Sequence, residues 1–127
     1  MTKYIFYFLV VFVTNVSAQE SYIDWVEKKE IINNNQYDLV LNFNSLKKII
    51  KKNDFFELEI QPINDCLSGI DGQIMFDVVR IDLKKTKINE FTINKSLVKR
   101  KCFKYRIKSI KDNKITYSQW NFHALVR

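Results

Sequence analysis

With 127 residues, two cysteines, one histidine and a formal charge of +7, the chain has room for one small domain and no more. Cys66, Cys102 and His123 are too few and too far apart to make a metal ligand set, no cofactor motif is present, and no catalytic motif rises above background. Charge is unevenly placed: residues 19–83 hold 7 basic and 12 acidic side chains, whereas residues 84–127 hold 13 and 2. Such asymmetry points to an electropositive face for an anionic partner, weighed against a lysine-rich surface that merely keeps the protein in solution.

Met1-Thr2-Lys3 carries one cation, Tyr4 to Val13 is an unbroken apolar run of ten, and Val16-Ser17-Ala18 follows. This predicts a secretory signal peptide over residues 1–18, cleaved after Ala18. The apolar run is well short of the roughly 20 residues that cross a bilayer, so no transmembrane anchor is expected after cleavage. The domain, residues 19–127, is therefore expected to be secreted or periplasmic. In such a compartment Cys66 and Cys102 are most simply a disulfide, the alternative being two separate buried thiols.

Ser21 to Glu27 is ambiguous and is read as an irregular lead-in or edge strand. Asn33-Asn34-Asn35 is a turn, because asparagine tolerates the left-handed region. Tyr37, Leu39, Leu41 and Phe43 alternate with Asp38, Val40 and Asn42, which predicts a strand. Asn44 to Lys52 is the one helical stretch, with Leu46, Ile49 and Ile50 at helical spacing behind Ser45. Its four lysines are read as a solvated connecting turn in preference to a membrane-binding element. Phe56, Leu58 and Ile60 then alternate with Glu57, Glu59 and Gln61 as another strand. Glu57 and Glu59 share a strand face, whereas glycosidase chemistry needs carboxyls across a cleft, so the pair is expected to be solvent-exposed.

Pro62 to Gly72 reads as a loop stapled by Cys66, with Asp71-Gly72 as a possible hairpin opening. Gln73 to Leu83 is apolar on both faces and is expected to be a central strand covered on both sides. Lys84 to Lys87 turns the chain and Phe91 and Ile93 begin a short strand. Asn94-Lys95-Ser96 is a glycosylation sequon, relevant only in a eukaryotic source. From Cys102 to Ile110 the alternation is strict, Phe103, Tyr105, Ile107 and Ser109 inward and Lys104, Arg106 and Lys108 outward. After the turn Lys111 to Lys114, Ile115 to Val126 reads as a second alternating strand, with Thr116, Ser118, Trp120, Phe122, Ala124 and Val126 on one face.

Six or seven short strands without a long helix predict an all-β antiparallel sandwich. The C-terminal third resembles a fibronectin type III domain, within the immunoglobulin-like sandwiches. Leu97 stands where that family has a leucine before its penultimate strand, and Phe103, Tyr105, Ile107 and Ser109 follow at the family's offsets, with Ser118 and Trp120 further on. The family's early tryptophan is missing from Phe55 to Gln61, and Lys99 replaces its proline. The resemblance implies a binding or spacer module without catalysis.

The leading functional expectation is a non-enzymatic module whose basic face holds an anionic glycan, surface or acidic protein. Lys104, Arg106 and Lys108 would line it, about 7 Å apart along the strand, joined by Lys99, Arg100 and Lys101. Nucleic acid is disfavoured, because Phe103 and Tyr105 point away from those cations and base stacking needs aromatics on the same face. The alternatives are a lipid- or sterol-holding sandwich and a small protein inhibitor. An enzyme is not expected, since His123 and Ser118 fall on opposite faces by parity.

Overall fold

The structure, a computed structural model, describes residues 22–64, 66 and 76–126. The predicted leader, residues 1–18, and the possible hairpin opening at Asp71-Gly72 lie outside them. Among the described residues eight strands form two antiparallel sheets, with only short helical turns between them.

A 3-10 turn at Ile23–Trp25 buries Ile23 and leads into β1 (Glu27–Asn33). Every β1 residue is exposed, so no apolar alternation marks it in the sequence. It pairs with β2 (Gln36–Asn42) through a two-residue turn at Asn34 and Asn35, with φ of 50° and 64°. Positive φ at both turn residues matches the twist of the flanking strands, and asparagine meets that demand at little cost. After a 3-10 turn at Asn44–Leu46 comes α1 (Lys47–Lys52), the expected helical stretch. Next are β3 (Phe55–Ile63), β4 (Val79–Asp82), α2 (Leu83–Thr86), β5 (Glu90–Ile93) and α3 (Lys95–Val98). The chain closes with β6 (Cys102–Lys111), β7 (Lys114–Tyr117) and β8 (Asn121–Ala124).

One sheet has the order β1-β2-β5. The other has β4-β3-β6-β7, with β8 also on β6. Between them lies one apolar core: Leu39, Leu41, Phe43 and Ile93 on one side, Phe56, Leu58, Ile60, Phe103, Tyr105 and Ile107 on the other, closed by Ile23, Leu46, Leu83 and Leu125. The inward set predicted for Cys102 to Ile110 is thus buried as expected. A disulfide joins Cys66 to Cys102 with Cα atoms 5.7 Å apart, tying the segment after β3 to the start of β6.

Two expectations are corrected. The strand near Gln73 to Leu83 is four residues long and lies at a sheet edge, not at its centre. Residues 73–75 fall outside the described set, Phe76 stacks under Arg100 at 3.8 Å, and Leu83 leaves the strand to begin α2. Of its described apolar residues, Phe76, the β4 pair Val79 and Ile81, and Leu83 therefore stand in three different settings instead of on two faces of one strand.

The closing segment is also not one strand. Ser118 breaks it: its N–H donates to Ile107 O at 2.9 Å, and the Ile107 N–H donates to Ser118 Oγ at 2.8 Å. A hydroxyl thus takes the place of a backbone acceptor, as at a bulge. Thr116 opposes the inward Ser109, but beyond the break it is Asn121 and His123 that oppose Tyr105 and Phe103. The pleat phase has moved by one residue, so Phe122 and Ala124 face outward.

Candidate binding face of the second sheet

The outer face of the second sheet is built in rows set by strand register. In the first row Gln61 of β3, Lys104 of β6 and Phe122 of β8 are neighbours. Arg80, Glu59 and Arg106 form the second, and Asp82, Glu57, Lys108 and Tyr117 the third. Each β6 cation therefore has a β3 polar group on one side, and aromatics from β7, β8 and the Ser118 bulge stand on the other.

Charge on the face is paired. Arg106 donates through Nε to Glu59 Oε2 at 2.8 Å, and Arg80 donates through Nη1 to Glu59 Oε1 at 2.6 Å and to Glu57 Oε1 at 2.9 Å. The two carboxylates are 3% and 8% exposed for Glu59 and Glu57, which corrects the expectation of a solvated pair. The cross-strand cations and covering side chains seal them in. Burial alone would raise the Glu59 carboxyl, but the hydrogen bonds and charge of Arg106 and Arg80 outweigh it and hold it below its ordinary range. The hydrogen bonds that Arg80 donates to Glu57 and Glu59 in turn keep it more firmly protonated.

The aromatics complete the face. The Arg106 guanidinium lies 4.0 Å from the Tyr117 ring centre and 4.2 Å from that of Trp120, and Lys104 Nζ lies 4.5 Å from the Trp120 centre. These are cation–π distances. Lys104 is only 3% exposed; its burial, and next the charge of Arg106, lower the ammonium below the ordinary lysine range. Tyr117 and Phe122 stay 41% and 49% exposed.

All three strand cations thus share the outer face as expected, but they are not equivalent. Arg106 is half-buried and bound to Glu59, Lys104 is buried, and Lys108 is half-buried with Nζ 5.9 Å from the centres of the Phe55 and Tyr117 rings. Lys99, Arg100 and Lys101 are exposed in the loop before β6, where Lys99 has a φ of 61° and Arg100 covers Phe76. That loop joins the face at the disulfide end of β6.

Sequence reasoning placed Phe103 and Tyr105 correctly on the far side, yet missed Tyr117, Trp120 and Phe122, because strict alternation through Ser118 puts Trp120 and Phe122 on a face with Thr116. Arg80 was also missed as a partner of the β3 carboxylates.

Three other residues singled out in the sequence have structural duties. The Asn94 side chain accepts the Leu97 N–H at 3.0 Å and caps α3. His123 has Nε2 2.7 Å from Tyr37 O and Nδ1 3.6 Å from Glu30 Oε1, linking β8 to the first sheet. The Ser118 hydroxyl is engaged by Ile107 and donates to Gln119 O at 3.1 Å. Among the described residues no group of His, Cys, Asp and Glu is placed to hold a metal, and no helix is long and apolar enough to cross a membrane. Comparison of the chain with protein-family models, curated proteins and solved structures finds no match.

Proposed function

We propose that the chain is an exported, non-enzymatic binding module of the immunoglobulin-like, fibronectin type III-like kind, which holds an acidic partner, glycan or protein, on the outer face of its second sheet. The family reading is supported by strand distribution. Taken in order as A, B, C, C′, E, F and G, with β7 and β8 sharing the last letter, A, B and E fall in one sheet and C′, C, F and G in the other. Leu97 before β6 and the inward Phe103 and Tyr105 agree with it, and the disulfide agrees with export.

The observation that carries the binding reading is Arg106, tied to Glu59 while lying against Tyr117 and Trp120. Arginine, tyrosine and tryptophan supply most of the energy at recognition sites, and side chains already held in place lose little entropy on binding. An acidic partner follows from the cations of the adjoining loop: Lys99, Arg100 and Lys101 are exposed, with half-buried Lys108 nearby, beside the set of Arg80, Arg106, Glu57 and Glu59, whose charges balance. Tyr117 and Phe122 would give such a partner apolar contact.

The test is retention on heparin and on immobilised poly-glutamate during a salt gradient. Replacing Lys99, Arg100, Lys101 and Lys108 by alanine should advance elution from whichever matrix mimics the partner, and Tyr117→Ala with Phe122→Ala should do so with a smaller salt dependence. Elution of both variants with the parent protein on both matrices rejects the reading.

A further inference from the structure

A second cationic feature lies at the other end of the sandwich, where β6 finishes instead of where it begins. There α1 and the segment from Leu83 to Asn89 flank a groove of about 540 Å³, within the range of roughly 300–1,000 Å³ typical of small-molecule sites. Its floor is apolar, made by Ile50, Leu83 and Ile88, and its rim is Lys47, Lys51, Lys84 and Lys87. Among the described residues no carboxylate lines it.

Of the nearby acids, two accept backbone hydrogen bonds. Asp82 Oδ1 accepts the N–H groups of Lys84 and Lys85, and Asp54 Oδ2 accepts that of Asp112; Glu90 is exposed on β5. Lys84 donates from Nζ to Asn53 O at the end of α1, which fixes one rim cation in place. The arrangement works against local stability in two ways. Lys47 and Lys51 are like charges one helical turn apart, which repel, and Lys87 sits in the left-handed region with a φ of 52°, disfavoured for a residue with a side chain. An anion among the lysines relieves the first of these, and the apolar floor calls for something more than a bare ion.

We infer that this groove binds a single-chain amphiphilic anion, its carboxylate head among the four lysines and its alkyl chain along Ile50, Leu83 and Ile88. The site is separate from the sheet face, and two of its floor residues, Ile50 and Leu83, belong to the edge of the core.

Calorimetric titration below the micelle threshold tests it, with dodecanoate as the probe, dodecyl maltoside as the same tail on a neutral head, and acetate as the head alone. Dodecanoate should bind saturably at one site and the two comparators should not. Lys47→Gln, Lys51→Gln and Lys87→Gln together should weaken it at least about tenfold, the loss expected from removing three partly exposed charge contacts. The combination Lys99→Ala and Lys108→Ala should leave it unchanged. Equal binding of the maltoside, or of dodecanoate to the triple glutamine variant, overturns the inference, as does no saturable binding. Should the triple variant fail to fold, amide NMR shifts of the parent protein decide: dodecanoate must perturb Ile50, Leu83 and Ile88, and perturbation centred on Tyr117 and Phe122 overturns the assignment.

Discussion

Arg106 and Glu59 occupy the same rung of β6 and β3, joined Nε to Oε2 at 2.8 Å, and the carboxylate is almost wholly shielded from water. From this pair the outer face is organised in both directions, to Arg80 on β4 and to the Tyr117 and Trp120 rings beside β7 and β8.

Replacing Glu59 by Gln should therefore destabilise the domain by about 1–2 kcal/mol in urea unfolding, less than for a fully buried pair because Arg80 is half in solvent. The change should also free Arg106 to move, seen as broadened Trp120 side-chain NMR signals.

The same carboxylate gives an acid limb to the stability profile. Its folded-state value is depressed, so its contribution is present above the ordinary carboxylate value of 4.5 and disappears as pH falls through the lower folded-state value. Thermal unfolding of the parent protein and of Glu59→Gln should converge across that acid window, while remaining apart at neutral pH. Parallel curves throughout would rule out this origin.

At Lys104 it is the neutral form that the fold favours. Its ammonium is depressed by burial and by Arg106, so the folded state disfavours the charged form at neutral pH, and stability is recovered as pH rises through the folded-state value toward 10.5. Lys104→Met, which keeps the volume over Trp120, should be more stable than the parent at pH 7, with the gap narrowing as pH approaches 10. A methionine variant less stable at pH 7 would mean that the cation–π contact outweighs desolvation.

Ser118→Ala removes the acceptor of the buried Ile107 N–H. An unmet backbone donor costs about 1–3 kcal/mol, and hydrogen exchange at Ile107 should accelerate beyond that of its β6 neighbours. Ser118→Thr, which retains the hydroxyl, should lose much less.

Cutting the disulfide by Cys66→Ser with Cys102→Ser should lower stability by roughly 3–4 kcal/mol, the chain-entropy value for a sequence separation of 36. Full unfolding in the same urea range as the oxidised protein would show that the crosslink contributes little.

Much of the sandwich is written in local pattern. Period-two alternation in Tyr37 to Phe43, Phe56 to Gln61 and Phe103 to Ser109 sorts residues to two sides of a strand, and asparagine or aspartate at positions 34, 35, 112 and 113 meets the backbone demand of tight turns. Those features depend only on near neighbours. Glu27 to Asn33 escaped because an edge strand exposed throughout has no apolar face to alternate, and the run ending at Leu83 misled because Phe76, Val79, Ile81 and Leu83, which serve separate contacts, look in sequence like one buried strand.

The candidate face depended on information that no stretch of chain contains. Register across β4, β3, β6, β7 and β8 brings together Arg80, Glu59, Arg106 and Tyr117, residues dispersed between positions 59 and 117, and a single hydroxyl at Ser118 reverses which side Phe122 takes. Charge count alone marked residues 84–127 as basic; only the folded sheet sets the carboxylates of Glu57 and Glu59 beside those cations, because opposite charges on paired strands meet at hydrogen-bonding distance whatever their separation in sequence.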